Sequence, residues 1–366
     1  MSFIDVYKTL NWDSIQEEIY QKNSNDVELA LSKPTGGTLE DFKALVSPAA
    51  DPYLEALALK SQILTRQHFG NTIQLYIPLY LSNECSNSCV YCGFSRKNTI
   101  ERLTLNLEEV LSEAAIIKNS GFEHVLLVSG ESKSVDLDYL RRCLKALRPI
   151  FANISMEVPP MNETEYRSLV DEGLYAVYLY QETYGPKFSE YHPKGKKKDI
   201  ALRLAAPDHL GAAGIHKMGL GFLIGLDDWR VDAWFTAAHL QYLERKYWRS
   251  RFSISFPRLR TAQGGFQPPI VMQDRQLLQL ICAFRLFNEK VELSLSTRET
   301  ELFRNSVLNL GITAMSAGSK TNPGGYGLYE ENLDQFQVED TRSPQQVAAM
   351  IASQGYDVVW KDWFRV

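Results

Sequence analysis

From residue 73 onward the chain repeats one rhythm. Short β-branched or aromatic runs alternate with longer stretches whose apolar positions recur at helical spacing. The short runs predict strands at Ile73–Leu81, His124–Ser129, Ile154–Val158, Ala176–Gln181, Lys217–Phe222, Phe252–Phe256, Glu292–Ser296 and Ile312–Ser316. The stretches between them predict helices at Leu107–Ser120, Asp138–Phe151, Glu163–Glu172, Ile200–Ala213, Val231–Tyr247, Asp274–Asn288 and Glu299–Asn309, with one more at Pro344–Gln354. Gly121, Gly173, Gly214 and Gly355 follow four of these helices, where a residue free to turn left-handed ends the coil. Strands that each lead into a helix predict a parallel sheet. Eight such units close most naturally into an α/β fold, a (β/α)8 TIM-type barrel, because closure removes both sheet edges. An open doubly wound sheet is the competing arrangement.

The first ~70 residues read differently. Helical patterns cover Val6–Tyr20 and Asp51–Phe69, and the turn residues Pro34, Gly36 and Gly37 lie between them. No linker separates this part from the first strand. The expected organisation is a helical extension at residues 1–70, a barrel at 71–320, and a tail and helix packed on the barrel at 321–366. There is no internal repeat and no low-complexity segment.

Composition narrows the partners. Of 366 residues, 45% are hydrophobic and 23% charged, as in ordinary folded proteins. A net charge of −5 gives no global reason to bind nucleic acid or an anionic membrane. The longest apolar run, around Met218–Leu226, is far short of a membrane span. The N-terminus lacks a basic segment followed by an apolar one, so a cytoplasmic protein is expected.

The five cysteines are unevenly placed. Cys85, Cys89 and Cys92 share one loop after the first strand, while Cys143 and Cys282 fall in helices. In a barrel, chemistry sits at the C-terminal ends of strands, and this loop is at that end. A C-x3-C-x2-C loop offers three thiolates to a cubane 4Fe–4S cluster, leaving the fourth iron without a protein ligand. A structural zinc site would need a fourth closing ligand, and no histidine has finger spacing. A redox disulfide would use Cys89 and Cys92 and leave Cys85 unexplained.

Cys85-x3-Cys89-x2-Cys92, with Tyr91 before the last cysteine, resembles the signature of the radical S-adenosylmethionine (SAM) enzymes. Further runs resemble the aromatic amino acid lyase branch of that family: Ile77–Asn83, Tyr180–Tyr184, Leu295–Glu299, Ser316–Ser319 and the closing Val359–Trp363. The resemblance implies a 4Fe–4S cluster on the three cysteines, with SAM chelating the open iron and cleaved to methionine and a 5′-deoxyadenosyl radical. It implies cleavage of L-tyrosine at Cα–Cβ to 2-iminoacetate and 4-methylphenol, for the thiazole of thiamine. It also implies a flavodoxin- or ferredoxin-type reductant and delivery to the thiazole synthase ThiG. A tryptophan lyase, a hydrogenase-maturation type of tyrosine lyase and a non-enzymatic electron carrier are the alternatives.

The same resemblance assigns roles. Ser129-Gly130-Glu131 is similar to the Gly-Gly-Glu element that grips the SAM amino group, with Ser129 replacing the first glycine. Tyr91 and Gly219-x-Gly221-x3-Gly225 match elements beside the adenine, and Glu182 and Arg203 match contacts to the ribose and methionyl carboxylate. For the substrate carboxylate, Arg298 is the first candidate, since a guanidinium offers two parallel donors at a strand end. Ser296, Ser316 and Ser319 are candidates for the carboxylate or amine. Arg258 and Arg260 reach either substrate or neighbouring loops, Asp208 and His209 are left out of the site, and the basic run Lys194–Lys198 reads mainly as a solvated loop.

Overall fold

A computed structural model describes residues 2–329 and 334–362, so Trp363 of the closing run lies outside it. Its centre is a sheet of parallel strands: β1 (Thr72–Ser82), β2 (His124–Ser129), β3 (Asn153–Glu157), β4 (Ala176–Tyr178), β5 (Lys217–Gly221), β6 (Arg251–Ser255), β7 (Glu292–Leu295), β8 (Ala314–Ser316) and β9 (Asp357–Val359). The pairing runs in chain order from β1 to β8, and β8 returns to β1, so eight strands close a barrel. The four predicted C-terminal glycines all have positive φ, between 81° and 99°.

The strands alternate sharply. Ile73, Leu75, Ile77, Leu79 and Leu81 of β1 pack into the apolar layer under the helices, as do Val125 and Leu127 of β2, Ile154 and Met156 of β3, and Leu293 and Leu295 of β7. The other register is mostly polar: Tyr76, Tyr80, Glu157, Ser255, Ser294 and Ser316, with Tyr180 just past β4, line a cavity in the upper barrel beside Pro78, Leu126 and Val128. Nearer the base, His124 Nε2 meets Ser155 Oγ at 2.6 Å and Lys217 Nζ meets Glu292 Oε2 at 2.7 Å. A polar interior cannot be left unsatisfied, so these groups pair with one another or await a ligand.

Three expectations are corrected. The N-terminal part is richer in helix than its pattern suggests, with Phe3–Tyr7, Trp12–Tyr20, Ser24–Ser32, Leu39–Val46 and Leu54–Phe69. Asn11 caps a helix with its side-chain oxygen and so divides the anticipated Val6–Tyr20, while Asn23 and Thr38 cap two further helices between the anticipated ones. β4 stops at Tyr178 instead of Gln181. The short β9 was not anticipated: it pairs with Thr72–Gln74 at the base, below the point where β2 takes over beside β1. Trp360 then packs edge-on against Phe122, and Asp362 accepts from the Tyr175 hydroxyl at 2.6 Å.

Between β8 and the helix Pro344–Ser353, the described residues 334–342 form a strap at the barrel mouth, where Gln335 and Phe336 line the cavities. Asp340 holds its far end: it pairs with Arg304 and with Arg342, and Arg304 also donates to the Ser316 carbonyl. The Arg304 and Asp340 side chains are both 0% exposed. Removing one member leaves the other buried and charged, so Asp340→Ala should lower unfolding free energy by about 3–5 kcal/mol. Urea titration followed by circular dichroism checks this, with Leu302→Ala, a largely exposed helix position, as the near-neutral control.

Candidate active site

The mouth holds two adjoining cavities. With their openings included, the outer has about 1020 Å3 and the inner about 620 Å3. Cys85, Cys89, Cys92, Tyr91, Ser129, Gly130, Glu131, Glu182 and Arg203 line the outer cavity. Ser296, Ser316 and Ser319 line the inner one, and Arg298 lines both. The chain thus brings every sequence-nominated residue of these two groups to one space.

The cysteine loop is held from behind. Arg102 donates to four of its main-chain carbonyls: Asn83 and Phe94 at 2.9 Å, Ser95 at 2.8 Å and Asn98 at 3.0 Å. Asn83 braces the start of the loop through Glu101 O and Leu103 N. Gly130 closes the gap to β2, since a Cβ there would sit 2.3 Å from Glu84 O. The Tyr91 hydroxyl meets His192 Nε2 at 2.7 Å. His192 Nδ1 lies 2.6 Å from the Phe188 carbonyl, which can only accept, so Nε2 is the lone pair that receives the Tyr91 proton.

The three thiols fit an iron–sulfur cluster better than a lone ion. Among the described residues, no three histidine, cysteine or carboxylate groups gather closely enough for a single metal. Yet all three cysteines are unpaired and share a cavity wall. Burial pushes Cys89 up to about 12 and raises Cys92, so a positive centre is needed to draw thiolates there. Asn87 Nδ2 and Gln335 Nε2 stand 3.8 and 3.7 Å from Cys85 Sγ and Cys92 Sγ, as outer donors to cluster ligands do. Beside them the Ser129 hydroxyl is buried without a partner.

Glu182 is the sole described non-glycine residue with positive φ, at 69°, a conformation costing roughly 1–3 kcal/mol. Lys197 at 2.6 Å and Arg203 at 3.3 Å hold its carboxylate. Burial alone would raise its pKa, but these two cations bring it down to about 2. The solvated-loop reading of Lys194–Lys198 is therefore corrected for Lys197, which turns inward and lies 5.7 Å over the Tyr91 ring. Its neighbours remain outside as expected of a basic surface run, with Lys196 83% exposed.

Arg298 carries no ion pair among the described residues. Its guanidinium lies 3.3 Å from the centre of the Phe336 ring, and burial lowers its pKa. The adjacent Glu299 is taken by Arg258 and Arg260, which brace the loop. Ser316 Oγ accepts from Thr297 N at 3.0 Å, and Ser319 Oγ is buried without a partner. Asp208 is occupied by Phe3 N, Tyr242, Tyr247 and Lys246, away from the site. Gly219 and Gly221 serve packing: a Cβ would strike the Tyr178 and Tyr180 rings, and neither glycine lines the outer cavity.

Sequence reasoning missed Glu157, Lys197, His192, Gln335 and Phe336. Glu157 was visible as a charged residue near the end of the expected third strand, Ile154–Val158, and His192 as a histidine just before the basic run. Gln335 and Phe336 lie well beyond the last barrel strand and carry no local motif.

Two family models match the chain: the radical SAM superfamily over residues 79–236, and the biotin and thiamin synthesis associated domain over residues 255–357. The chain is 52% identical to 2-iminoacetate synthase of Escherichia coli K12, over 99% of this chain and 97% of that protein. It is 49% identical to the 2-iminoacetate synthase of Salmonella typhimurium LT2, with the same coverage of each. The FeFe-hydrogenase maturase HydG of Carboxydothermus hydrogenoformans superposes with a TM-score of 0.87 at 28% identity, covering 98% of this chain and 83% of that one. With this identity along almost its full length, the chain belongs to the 2-iminoacetate synthases, a family of radical SAM lyases.

Proposed function

We propose that the chain cleaves the Cα–Cβ bond of L-tyrosine to 2-iminoacetate and 4-methylphenol, with Cys85, Cys89 and Cys92 as the cluster ligands. The observation that carries this reading is the unpaired guanidinium of Arg298, which lines both the inner cavity and the outer cavity that the three thiols share. When bound, the cluster and SAM supply a 5′-deoxyadenosyl radical able to take a hydrogen atom.

The chain's own residues orient and enclose. Arg298 binds the tyrosine carboxylate through two parallel charge-assisted bonds, each worth about 1.5–3 kcal/mol. Ser296, Ser316 and Ser319 complete the binding of carboxylate and amine. The phenol points into the inner cavity, where Ser255, Ser294 and Tyr180 offer hydroxyl partners; this favours tyrosine over tryptophan. Glu131, Glu182, Arg203 and the main chain at Ser129 and Gly130 hold SAM, with Tyr91 near its adenine. Phe336 and Gln335 line both cavities and shield the bound imine from water.

A flavodoxin- or ferredoxin-type reductant supplies the electron, and the imine passes to the thiazole synthase; the family resemblance supports both. Five unpaired cysteines fit a cytoplasmic setting. No described helix is long and apolar enough to cross a membrane.

The test is anaerobic: reconstituted protein with reductant, SAM and tyrosine should form 5′-deoxyadenosine and 4-methylphenol together. Deoxyadenosine without 4-methylphenol, or 3-methylindole from tryptophan at a higher rate, would reject the substrate. Arg298→Lys should lower kcat/KM for tyrosine about 100-fold while SAM binding stays unchanged, because a point charge cannot reproduce the fork. Arg102→Ala should weaken iron loading about 10–100-fold in chelator competition, because four loop carbonyls lose their common donor.

A further inference from the structure

One charge of the cavity wall has no task in the proposed binding of SAM and tyrosine. Glu157, at the end of β3, lines both the outer and the inner cavity, as Arg298 does. Among the described residues its carboxylate has neither hydrogen bond nor ion pair. Arg298 and Glu157 thus face the same space with opposite charges and do not close on each other. Buried charges are stable when paired, so this separation calls for a ligand that carries both complements. An α-amino acid does: its carboxylate and ammonium hang from one carbon.

The inference rests on the proposed lyase reading and deepens it. By the family resemblance the radical takes its hydrogen atom from the substrate nitrogen, and that atom leaves more readily from a neutral amine, which becomes a neutral aminyl radical. The atom does not leave readily from an ammonium, which is the main form of free tyrosine at neutral pH. One proton must therefore depart first. We propose that Glu157 receives the substrate ammonium and takes that proton from it. The N–H bond breaks with its electron pair staying on nitrogen, and the proton passes to a carboxylate oxygen of Glu157. Ammonium and carboxylate become amine and carboxylic acid, with no electron transferred and no change in total charge.

The surroundings suit a base. Tyr76 and Tyr80 of β1, Tyr178 of β4 and Tyr180 just after it face Glu157, with Glu182, Lys197, Arg203 and Arg298 as the nearby charges. Burial raises the Glu157 pKa to about 7; Glu182 adds to this, while Arg298, Lys197 and Arg203 oppose it. The carboxylate is the accepting form, so activity is lost as pH falls through that value.

The experiment measures 4-methylphenol formation by the anaerobic, SAM-saturated holoenzyme as a function of pH. Wild-type kcat/KM for tyrosine should fall on the acid side with an apparent pKa near 7. Glu157→Gln should lose about 10²–10⁴-fold at neutral pH. Its residual rate should climb about tenfold per pH unit, because the variant can use only tyrosine that is already neutral. Glu157→Asp, which keeps a carboxylate, should recover at least about tenfold of the loss. A Glu157→Gln enzyme within about threefold of wild type, an unchanged pH profile, or no recovery in Glu157→Asp overturns the proposal. Wild-type enzyme that makes 5′-deoxyadenosine but no 4-methylphenol overturns the lyase reading instead, whatever the variants do.

Discussion

The site depends on one guanidinium. The segment from Asn83 to Asn98 must turn three thiols toward a common cavity, and a loop of that length has no strand or helix to fix it. Arg102 does so from behind by collecting four of its carbonyls. Each bond alone contributes about 1.5–3 kcal/mol as a charged donor to a neutral acceptor. Their joint effect is geometric: a planar fork with fixed donor directions sets the relative positions of four peptide groups at once. Lysine offers a point charge and could not do the same. From that loop follow the placement of Tyr91, its lock on His192, and the contact of Gly130 with Glu84 O.

The barrel around it separates two uses of the same strands. Outward positions are apolar and anchor helices, and inward ones carry tyrosines, serines and charges. Inside such a polar barrel each charge has to be accounted for. Lys217 meets Glu292 at the base, Glu182 is shared by Lys197 and Arg203, and Glu299 is shared by Arg258 and Arg260. Against that background Arg298 and Glu157 stand out because nothing among the described residues pairs them. Pairing elsewhere shows that the fold can satisfy its buried charges, so the two exceptions are the complements that the proposed zwitterionic substrate would meet.

The legible part of the chain was the part whose signals are local. Period-two runs bounded by glycine gave seven of the eight barrel strands to within two residues, and the thiol spacing located the mouth. β4 ended early because its hydrogen bonds continue as loop contacts: Leu179 and Gln181 still donate to β5 carbonyls outside the regular ladder. β9 was hidden because three residues carry little period, and its pairing with β1 joins positions far apart in sequence. Lys197 was hidden by its company, since a run of lysines reads as a solvated surface and only the fold reveals that one of them turns inward to Glu182. Gln335 and Phe336 belong to a strap whose course is set by the buried Arg304–Asp340 pair, which no spacing announces.

That strap explains why a cation can wait unpaired in the mouth. The Phe336 ring centre lies 3.3 Å from the central carbon of the Arg298 guanidinium. A cation–π contact of this kind offers partial compensation for lost hydration and takes no hydrogen bond away. Gln335, on the adjacent residue, accepts from the Tyr80 hydroxyl at 2.8 Å and reaches Cys92 Sγ at 3.7 Å. One short segment therefore touches the proposed carboxylate receptor and a cluster ligand together. Any displacement of the strap would hydrate Arg298 and remove a donor from Cys92 in the same movement. In the proposed function, enclosing the substrate and tuning the cluster are thus coupled through one segment, and the buried ion pair at Asp340 sets how firmly that segment is held.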